Sequence, residues 1–250
     1  MSLTQRLLEV AERSERAVLL TVVEGDGIGS RVLVLGSGDR LGEGVPDEVV
    51  AQAGQLIREH RNRIVEIEGC KVFAEVYGPP PRVVVYGAVD TAEAICRVAK
   101  TLGWTAIVAD ARPKFATRER MPSADELVVS WPEEAFEQIG LDHDTAVLVL
   151  THDDKFDLPA LKAALASEAY YVGALGSRRT QERRRGALLE TGVSEAEIER
   201  IAGPCGLDLG AVSQQETAVS MVAEIVAVRN GREGGRLRDS TQRIRTVPAG

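Results

Sequence analysis

The sequence has few cysteines and no long apolar run, and each shortage excludes a class of protein. The three cysteines are odd in number and form no C-x-x-C pair, so they specify neither a disulfide framework nor a zinc site. We expect reduced thiols. No apolar stretch approaches the ~18 residues that span a bilayer, and charges run through the first residues of the chain. We therefore expect a cytoplasmic protein with no membrane anchor.

Basic residues are also in the minority. Lys and Arg number 30 against 38 Asp and Glu, and the resulting net charge of −8 repels a polyanionic duplex. Nucleic acid is therefore not an expected partner. Apolar residues make up 44% of the chain and charged residues 27%, which are proportions typical of a folded globular protein. A length of 250 residues leaves room for two modest domains.

Two regions of the chain differ in the periodicity of their apolar residues, and prolines 79–81 separate them. Strand-like runs, an amphipathic helix over 47–60 and a hairpin turning near Glu68 and Gly69 predict an α+β module over residues 1–79. Apolar strands then alternate with helices, which predicts a Rossmann-like α/β domain over 80–229, with a parallel sheet and helices on both faces. The Gly- and Arg-rich segment 230–250 lacks periodicity, and we expect a flexible tail.

The first strand of the second region ends at Gly87, in the segment YGAVDTA, and the next strand ends at Asp110. This spacing matches a dinucleotide-binding turn, in which glycines admit a pyrophosphate and the acid holds a ribose. Val89, however, occupies the position of the second glycine, and its branched side chain obstructs the diphosphate. A tight turn that binds no ligand explains the segment equally well, and NAD(P) is the less favoured ligand.

The segment GALGSRRT, residues 173–180, gives the sharpest signal. A strand ends in glycines and a helix opens, so that backbone N–H groups, a hydroxyl and two guanidinium groups form a phosphate cradle. The residues of this cradle are Gly173, Gly176, Ser177, Arg178 and Arg179. The alternative is that the serine only caps the helix and that the arginines are solvated, as we expect for residues 183–185.

Two further loops carry polar groups to the same edge of the predicted sheet. The segment THDDKFD places His152, Asp153 and Asp157 after a strand, where an acid or base or a metal ligand is conceivable. One His and two Asp are a weak metal signature. Asp157 also suits a helix cap, and we therefore predict no metal site. The segment PCGLDLGA supplies Asp208 and leads to Glu216, which also suits the start of a helix.

The order of these motifs resembles the xanthine dehydrogenase accessory factor family, XdhC/CoxI. The resemblance covers most of residues 80–229 and rests on VVVYGAVDTA, GW, DAR, THD, YVGALGSRRT, PCGLDLGA and a late Glu. The N-terminal module departs from the family pattern, because no cysteine precedes Cys70. Val89 and Asp90 also stand where the family commonly has Gly and His. The chain is therefore identified as a divergent member of the family.

The resemblance implies a maturation factor, more an accessory protein than an enzyme, that binds molybdenum cofactor (molybdopterin). Its client would be a molybdenum hydroxylase of the xanthine or CO dehydrogenase type. Residues 173–180 would grip the pterin phosphate, while Asp110, Arg112, His152 and Asp153 would line the same crevice. No catalytic residue is assigned, and a homodimer is expected. The alternatives are an NAD(P)-dependent oxidoreductase using this crevice and a regulatory protein that binds the hydroxylase without cofactor.

Overall fold

The computed structural model describes residues 2–59 and 61–241, and the chain divides into two compact units. Among the described residues, one unit comprises those up to Pro80 together with residues 236–241, and the other comprises Pro81–Gly235. In the described ranges, no helix is both long enough and apolar enough to cross a membrane.

The first unit is a five-stranded antiparallel sheet with helices on both faces, in the strand order β3-β2-β1-β5-β4. A capping box of Ser2 and Gln5 starts the first helix, which packs on one face, and the next two helices cover the other. The predicted hairpin turn at Glu68 and Gly69 is confirmed. The elements are α1 (Leu3–Glu12), β1 (Ala17–Glu24), β2 (Arg31–Leu35), β3 (Arg40–Glu43), α2 (Asp47–Val50), α3 (Ala53–Glu59), β4 (Arg63–Ile67) and β5 (Cys70–Tyr77).

The second unit is a six-stranded parallel sheet, in the strand order β11-β10-β9-β6-β7-β8. The predicted fold class is thereby confirmed. The elements are β6 (Arg82–Tyr86), α4 (Asp90–Thr101), β7 (Thr105–Ala109), β8 (Glu126–Val128), α5 (Pro132–Ile139), β9 (Thr145–Val149), α6 (Asp154–Leu165), β10 (Tyr171–Ala174), α7 (Arg178–Glu190), α8 (Glu195–Ile198), β11 (Ile201–Ala202) and α9 (Gln214–Arg229).

The strands of this sheet are apolar along their length because both faces are covered. One core lies between the sheet and helices α4 and α9, and it includes the long β7–β8 connection. The other core lies between the sheet and helices α5, α6, α7 and α8. Parallel strands buried on both faces read as continuous runs of Val, Ile and Leu, as in β6 and β9.

The end of the chain is described only in part. After α9, a short 3-10 helix spans Leu237–Asp239, and residues 242–250 lie outside the described residues. The flexible tail expected over 230–250 therefore stays a prediction.

Candidate functional site

The sheet of the second unit has a switch point between β6 and β9. The chain runs outward from β6 through β7 to β8, and then returns to β9 and runs outward the other way to β11. In open sheets of this kind, ligands bind outside the carboxyl ends of the strands at such a point. The loops that follow β6, β7, β8 and β9 therefore define the candidate site.

The two central loops touch each other at Gly87. This residue has φ +115°, and a Cβ built on it would lie 2.9 Å from the backbone nitrogen of Thr151, in the loop after β9. An L side chain disfavours this φ, and the neighbouring backbone leaves no space for one. Gly87 therefore sets the close approach of the two loops at the base of the crevice.

Asp110 follows β7 and is 1% exposed. Its Oδ2 accepts hydrogen bonds from the backbone N–H of Ala88 (2.8 Å) and from Nη2 of Arg112 (2.8 Å). Its Oδ1 accepts from Nε and from the backbone N–H of Arg112, each at 2.9 Å. Burial acts to raise the pKa of this carboxyl, but the hydrogen bonds from Arg112 and Ala88 outweigh it and lower the pKa below its ordinary value of 3.8.

This arrangement joins three residues of the predicted site. Asp110 fastens the first βα turn, which begins at Gly87, to Arg112. The hydrogen bond to Asp110 raises the pKa of the Arg112 guanidinium, and the nearby carboxylate of Asp153 raises it further. Both oxygens of Asp110 already accept hydrogen bonds from within the chain. The carboxylate is thus committed to the protein, which argues against the ribose contact of an NAD(P) enzyme.

Aromatic rings and cations collect at the same edge, and sequence reasoning missed them. The guanidinium carbon of Arg112 lies 4.2 Å from the ring centre of Phe115 and 5.5 Å from that of Phe156. The rings of Phe156 and Trp131 are 5.2 Å apart, and the ammonium of Lys155 lies 5.1 Å from Trp131. We call this set the cation–aromatic cluster: Arg112, Phe115, Arg120, Trp131, Lys155 and Phe156.

The cluster has a sequence signal, although a weak one. Phe and Trp number only six in the whole chain, yet three of them follow consecutive strands of the sheet, at positions 115, 131 and 156. Trp131 is 43% exposed although it is the largest kind of apolar side chain. An exposed ring beside cations suits stacking on a planar, negatively charged ligand.

The loop after β9 also contains His152 and Asp153, both exposed. His152 adopts φ +60°, an uncommon conformation for a residue other than glycine. Asp153 is the N-cap of α6, where its side chain accepts a hydrogen bond of 3.0 Å from the N–H of Lys155. The predicted N-cap therefore exists, but it is Asp153 and not Asp157.

Asp157 is fully buried and binds two partners. It accepts hydrogen bonds from the hydroxyl of Thr151 and from Nη2 of Arg184. The solvated state expected for residues 183–185 is therefore wrong for Arg184, which is 2% exposed. Helix α7 carries polar residues on nearly its whole surface, so nothing in the local pattern distinguishes this arginine from its neighbours.

The predicted phosphate cradle is split between a buried strand and an exposed helix start. Gly173 is buried in β10, where a Cβ would lie 2.7 Å from the ring of Tyr171. Gly176 adopts φ +138° in the following loop, and Ser177 caps α7 by accepting from the N–H of Thr180 at 3.2 Å. Arg178 and Arg179 are exposed on the first turn. Their binding of a phosphate stays a prediction.

The loop between β11 and α9 gives Glu216 a structural use. Its carboxylate accepts from the N–H groups of Val212 and Ser213, at 2.9 and 2.8 Å, in a capping box with Ser213. The hydrogen bonds from these backbone groups lower the pKa of Glu216. Asp208 is exposed on the same loop. Cofactor binding by both acids stays a prediction.

The described thiols and acids offer little for covalent or metal chemistry. Burial raises the pKa of Cys96 and of Cys205 to about 12, so both remain protonated thiols at neutral pH. Cys70 is half-buried in the first unit. In residues 2–59 and 61–241, no group of three His, Cys, Asp or Glu side chains is placed to hold a metal ion.

The strand order and the position of the site define a Rossmann-like α/β domain with its ligand edge at the switch point. Residues 83–225 match the family model described as the XdhC Rossmann domain, and the chain belongs to this family. The resemblance seen in the sequence is thereby confirmed.

Two curated relatives are similar to most of this chain. A Bacillus subtilis protein, named as a probable component of xanthine dehydrogenase, is 30% identical over 158 residues, which cover 63% of this chain and 46% of the relative. The molybdenum cofactor insertion chaperone PaoD, from Escherichia coli, is 31% identical over 157 residues, which cover 63% and 43%. The chain thus spans less than half the length of either relative.

A solved structure has the same fold. A protein from Bacillus halodurans described as a xanthine dehydrogenase superposes with a TM-score of 0.68 at 24% identity, covering 92% of this chain and 67% of the other.

Proposed function

We propose that this chain is a maturation factor that binds molybdenum cofactor and delivers it to a molybdenum hydroxylase of the xanthine or CO dehydrogenase type. Family membership and the likeness to an insertion chaperone support a role in maturation. The observation that carries the proposal is the cation–aromatic cluster at the switch point. The hydroxylase partner and a homodimeric state remain part of the proposal.

The chemistry of the cofactor fits the residues of this edge. A pterin is a planar heterocycle, and its phosphate is negatively charged near neutral pH. Trp131 offers an exposed ring face for stacking, the buried Phe156 packs beside it, and Arg112 and Lys155 offer charge within 6 Å of these rings. The exposed guanidinium groups of Arg178 and Arg179 extend the cationic edge toward β10. The cofactor is cargo, and the residues hold, orient and shield it.

The state of the potential reacting groups favours a carrier over a catalyst. The buried thiols of Cys96 and Cys205 stay protonated, because burial raises the pKa of each to about 12. The carboxylate of Asp110 is held by four hydrogen bonds from Arg112 and Ala88. Neither these thiols nor the carboxylate of Asp110 is therefore free to act as a nucleophile or a base.

The test is retention of the cofactor by the purified full-length chain. The protein is mixed anaerobically with molybdenum cofactor, passed through a gel-filtration column and assayed for bound pterin and molybdenum. We expect retention by the wild type and a loss of affinity of about tenfold in Lys155→Ala, which removes a charge beside the phosphate, and in Trp131→Ala, which removes the ring that stacks on the pterin. Each such contact with the ligand contributes about 1–2 kcal/mol.

Lys162→Ala is the matched control. Lys162 is an exposed lysine on the same helix, and its ammonium contacts the carbonyl of Thr191 at 3.3 Å, away from the cluster. This variant should retain the cofactor as the wild type does. Failure of the folded wild type to retain any cofactor, or equal weakening by Lys162→Ala, would refute the proposed site.

A further inference from the structure

A cavity of about 450 Å³ opens beside α7, and the loops of the candidate site do not form it. Its walls come from α6, α7, α8, β11 and the turn that follows β11. The volume lies in the range of sites for small organic molecules. Leu161, Leu188 and Ile198 give the cavity an apolar floor.

Arg184 reaches this cavity from a buried position. Its Nη1 donates to the carbonyl of Leu175 at 2.7 Å, and its Nη2 donates to Asp157. Its Nε is buried and has no hydrogen-bond partner among the residues that the structure describes. A buried N–H without an acceptor is unfavourable, and such a group in a native protein calls for an explanation. A ligand with an acceptor oxygen in the cavity supplies one.

Two more arginines line the same cavity. Arg178 is exposed at the first turn of α7, and Arg185 lies beside Arg184, with its Nη2 3.1 Å from Glu195. Glu182 and Glu199 also line the cavity. Guanidinium groups bind phosphate well, because each can donate two parallel hydrogen bonds to two phosphate oxygens.

We propose that this cavity binds a small organic phosphate. The phosphate oxygens accept hydrogen bonds from Nε of Arg184 and from the guanidinium groups of Arg178 and Arg185, and the organic part lies on the apolar floor. The cavity adjoins the α7 side of α6, whereas Trp131 contacts α6 from the α5 side. The cavity therefore shares Arg178 with the edge proposed to hold the cofactor but no residue with the cation–aromatic cluster, and the inference does not rest on the proposed function.

Calorimetric titration of the full-length chain with phenyl phosphate, inorganic phosphate and benzoate tests the proposal. Phenyl phosphate should bind saturably, and more tightly than inorganic phosphate, which lacks an apolar part, and than benzoate, which has fewer acceptor oxygens. Arg178→Ala and Arg185→Ala should each weaken phenyl phosphate about tenfold, the loss typical of one charge-assisted hydrogen bond. Absence of saturable binding by the folded wild type would overturn the proposal.

Two neighbouring arginines serve as controls on the same helix. Arg183 pairs with Asp154 at 2.9 Å, and neither Arg183 nor Arg179 lines the cavity. Arg183→Ala should bind phenyl phosphate as the wild type does, whereas Arg179→Ala, which alters the edge proposed to hold the cofactor, tests where the anion lies. If Arg179→Ala weakened it as much as Arg178→Ala, the anion would lie on the exposed helix start and the cavity assignment would be wrong.

A direct readout of Arg184 leaves the wild-type chain intact. NMR spectra of nitrogen-labelled wild type and Arg184→Lys are compared. The Nε–H resonance that is present in the wild type and absent from the variant is that of Arg184. Addition of phenyl phosphate should move this resonance and slow its exchange with solvent. A resonance that is unchanged at saturating phenyl phosphate would contradict the contact with Nε.

Discussion

At the scale of single residues, Gly87 combines a positive φ with the absence of space for a side chain. A Cβ there would lie 2.9 Å from a backbone atom, at φ +115°. We expect Gly87→Ala to lower the free energy of unfolding by about 2–4 kcal/mol, since both the strain and the collision must be absorbed. Urea denaturation followed by circular dichroism measures the change.

Gly103→Ala separates the two causes. Gly103 also has a positive φ, +72°, but no atom lies within 4 Å of its added Cβ. This variant should lose only the strain component, about 1 kcal/mol. Equal losses in the two variants would mean that the contact between Gly87 and Thr151 has no energetic weight.

Asp110 gives the molecule a specific dependence on pH. Its folded-state pKa is lowered, so the stability it contributes is fully present above its ordinary pKa of 3.8 and is lost as pH falls through the lower, folded value. We expect Asp110→Asn to be about 2 kcal/mol less stable than the wild type at pH 7. In urea denaturation from pH 7 down to pH 3, the difference should stay constant to about pH 4 and then shrink.

A stability difference that grows as the pH falls would contradict an ionised Asp110. If the gap between wild type and Asp110→Asn widened as the pH fell, the carboxyl would be protonated in the folded protein. The hydrogen bonds from Arg112 and Ala88 would then not be those of a carboxylate.

Sequence reasoning identified some residues of the candidate site and missed others for a physical reason. Gly87 and Asp110 were predictable because a βα turn and the end of the next strand have a fixed spacing. Arg184 was not, because its partner Asp157 lies 27 positions away and α7 has no apolar face to show which side is buried. The rings at 115 and 131 lie in loops, where periodicity carries no information.

At the scale of secondary-structure elements, one buried ion pair connects α6 to α7. Asp157 and Arg184 are 0% and 2% exposed, and Thr151 completes the contact. Removal of one partner leaves a buried charge without compensation, so we expect Asp157→Ala to lower the free energy of unfolding by about 3–5 kcal/mol. Urea denaturation at pH 7 measures this loss.

An exposed ion pair between the same two helices serves as the control for the buried pair. Arg183 and Asp154 are 2.9 Å apart, with side chains 62% and 40% exposed. Asp154→Ala should cost less than about 1 kcal/mol, because solvent screens the pair. A similar loss in the two aspartate variants would show that burial does not distinguish these contacts.

Elements with a strong hydrophobic period were predictable, and short edge elements were not. The hairpin of β4 and β5 and the apolar strands β6 and β9 match the predicted segments. Strand β11 has only two residues, and its pairing with β10 depends on tertiary contacts that leave no local pattern.

At the scale of the whole molecule, the charge is unevenly spread. The chain carries a net charge of −8, and at the carboxyl edge of the parallel sheet Arg112 and Arg120 pair with Asp110 and Asp90. Lys155, Arg178 and Arg179 at the same edge form no ion pair with the described residues, and such cations attract small anions locally while the net charge repels large polyanions. This contrast favours a phosphate-bearing small molecule over nucleic acid.

The scarcity of tryptophan has an optical consequence. The chain has two tryptophans, and they lie at opposite ends of the parallel sheet, because Trp104 precedes β7 and Trp131 follows β8. Trp104 is 7% exposed, whereas Trp131 is 43% exposed and lies beside the ammonium of Lys155. A ligand stacked at the carboxyl edge therefore quenches the emission of one indole while the other serves as an internal reference, so the unlabelled protein reports its own occupancy.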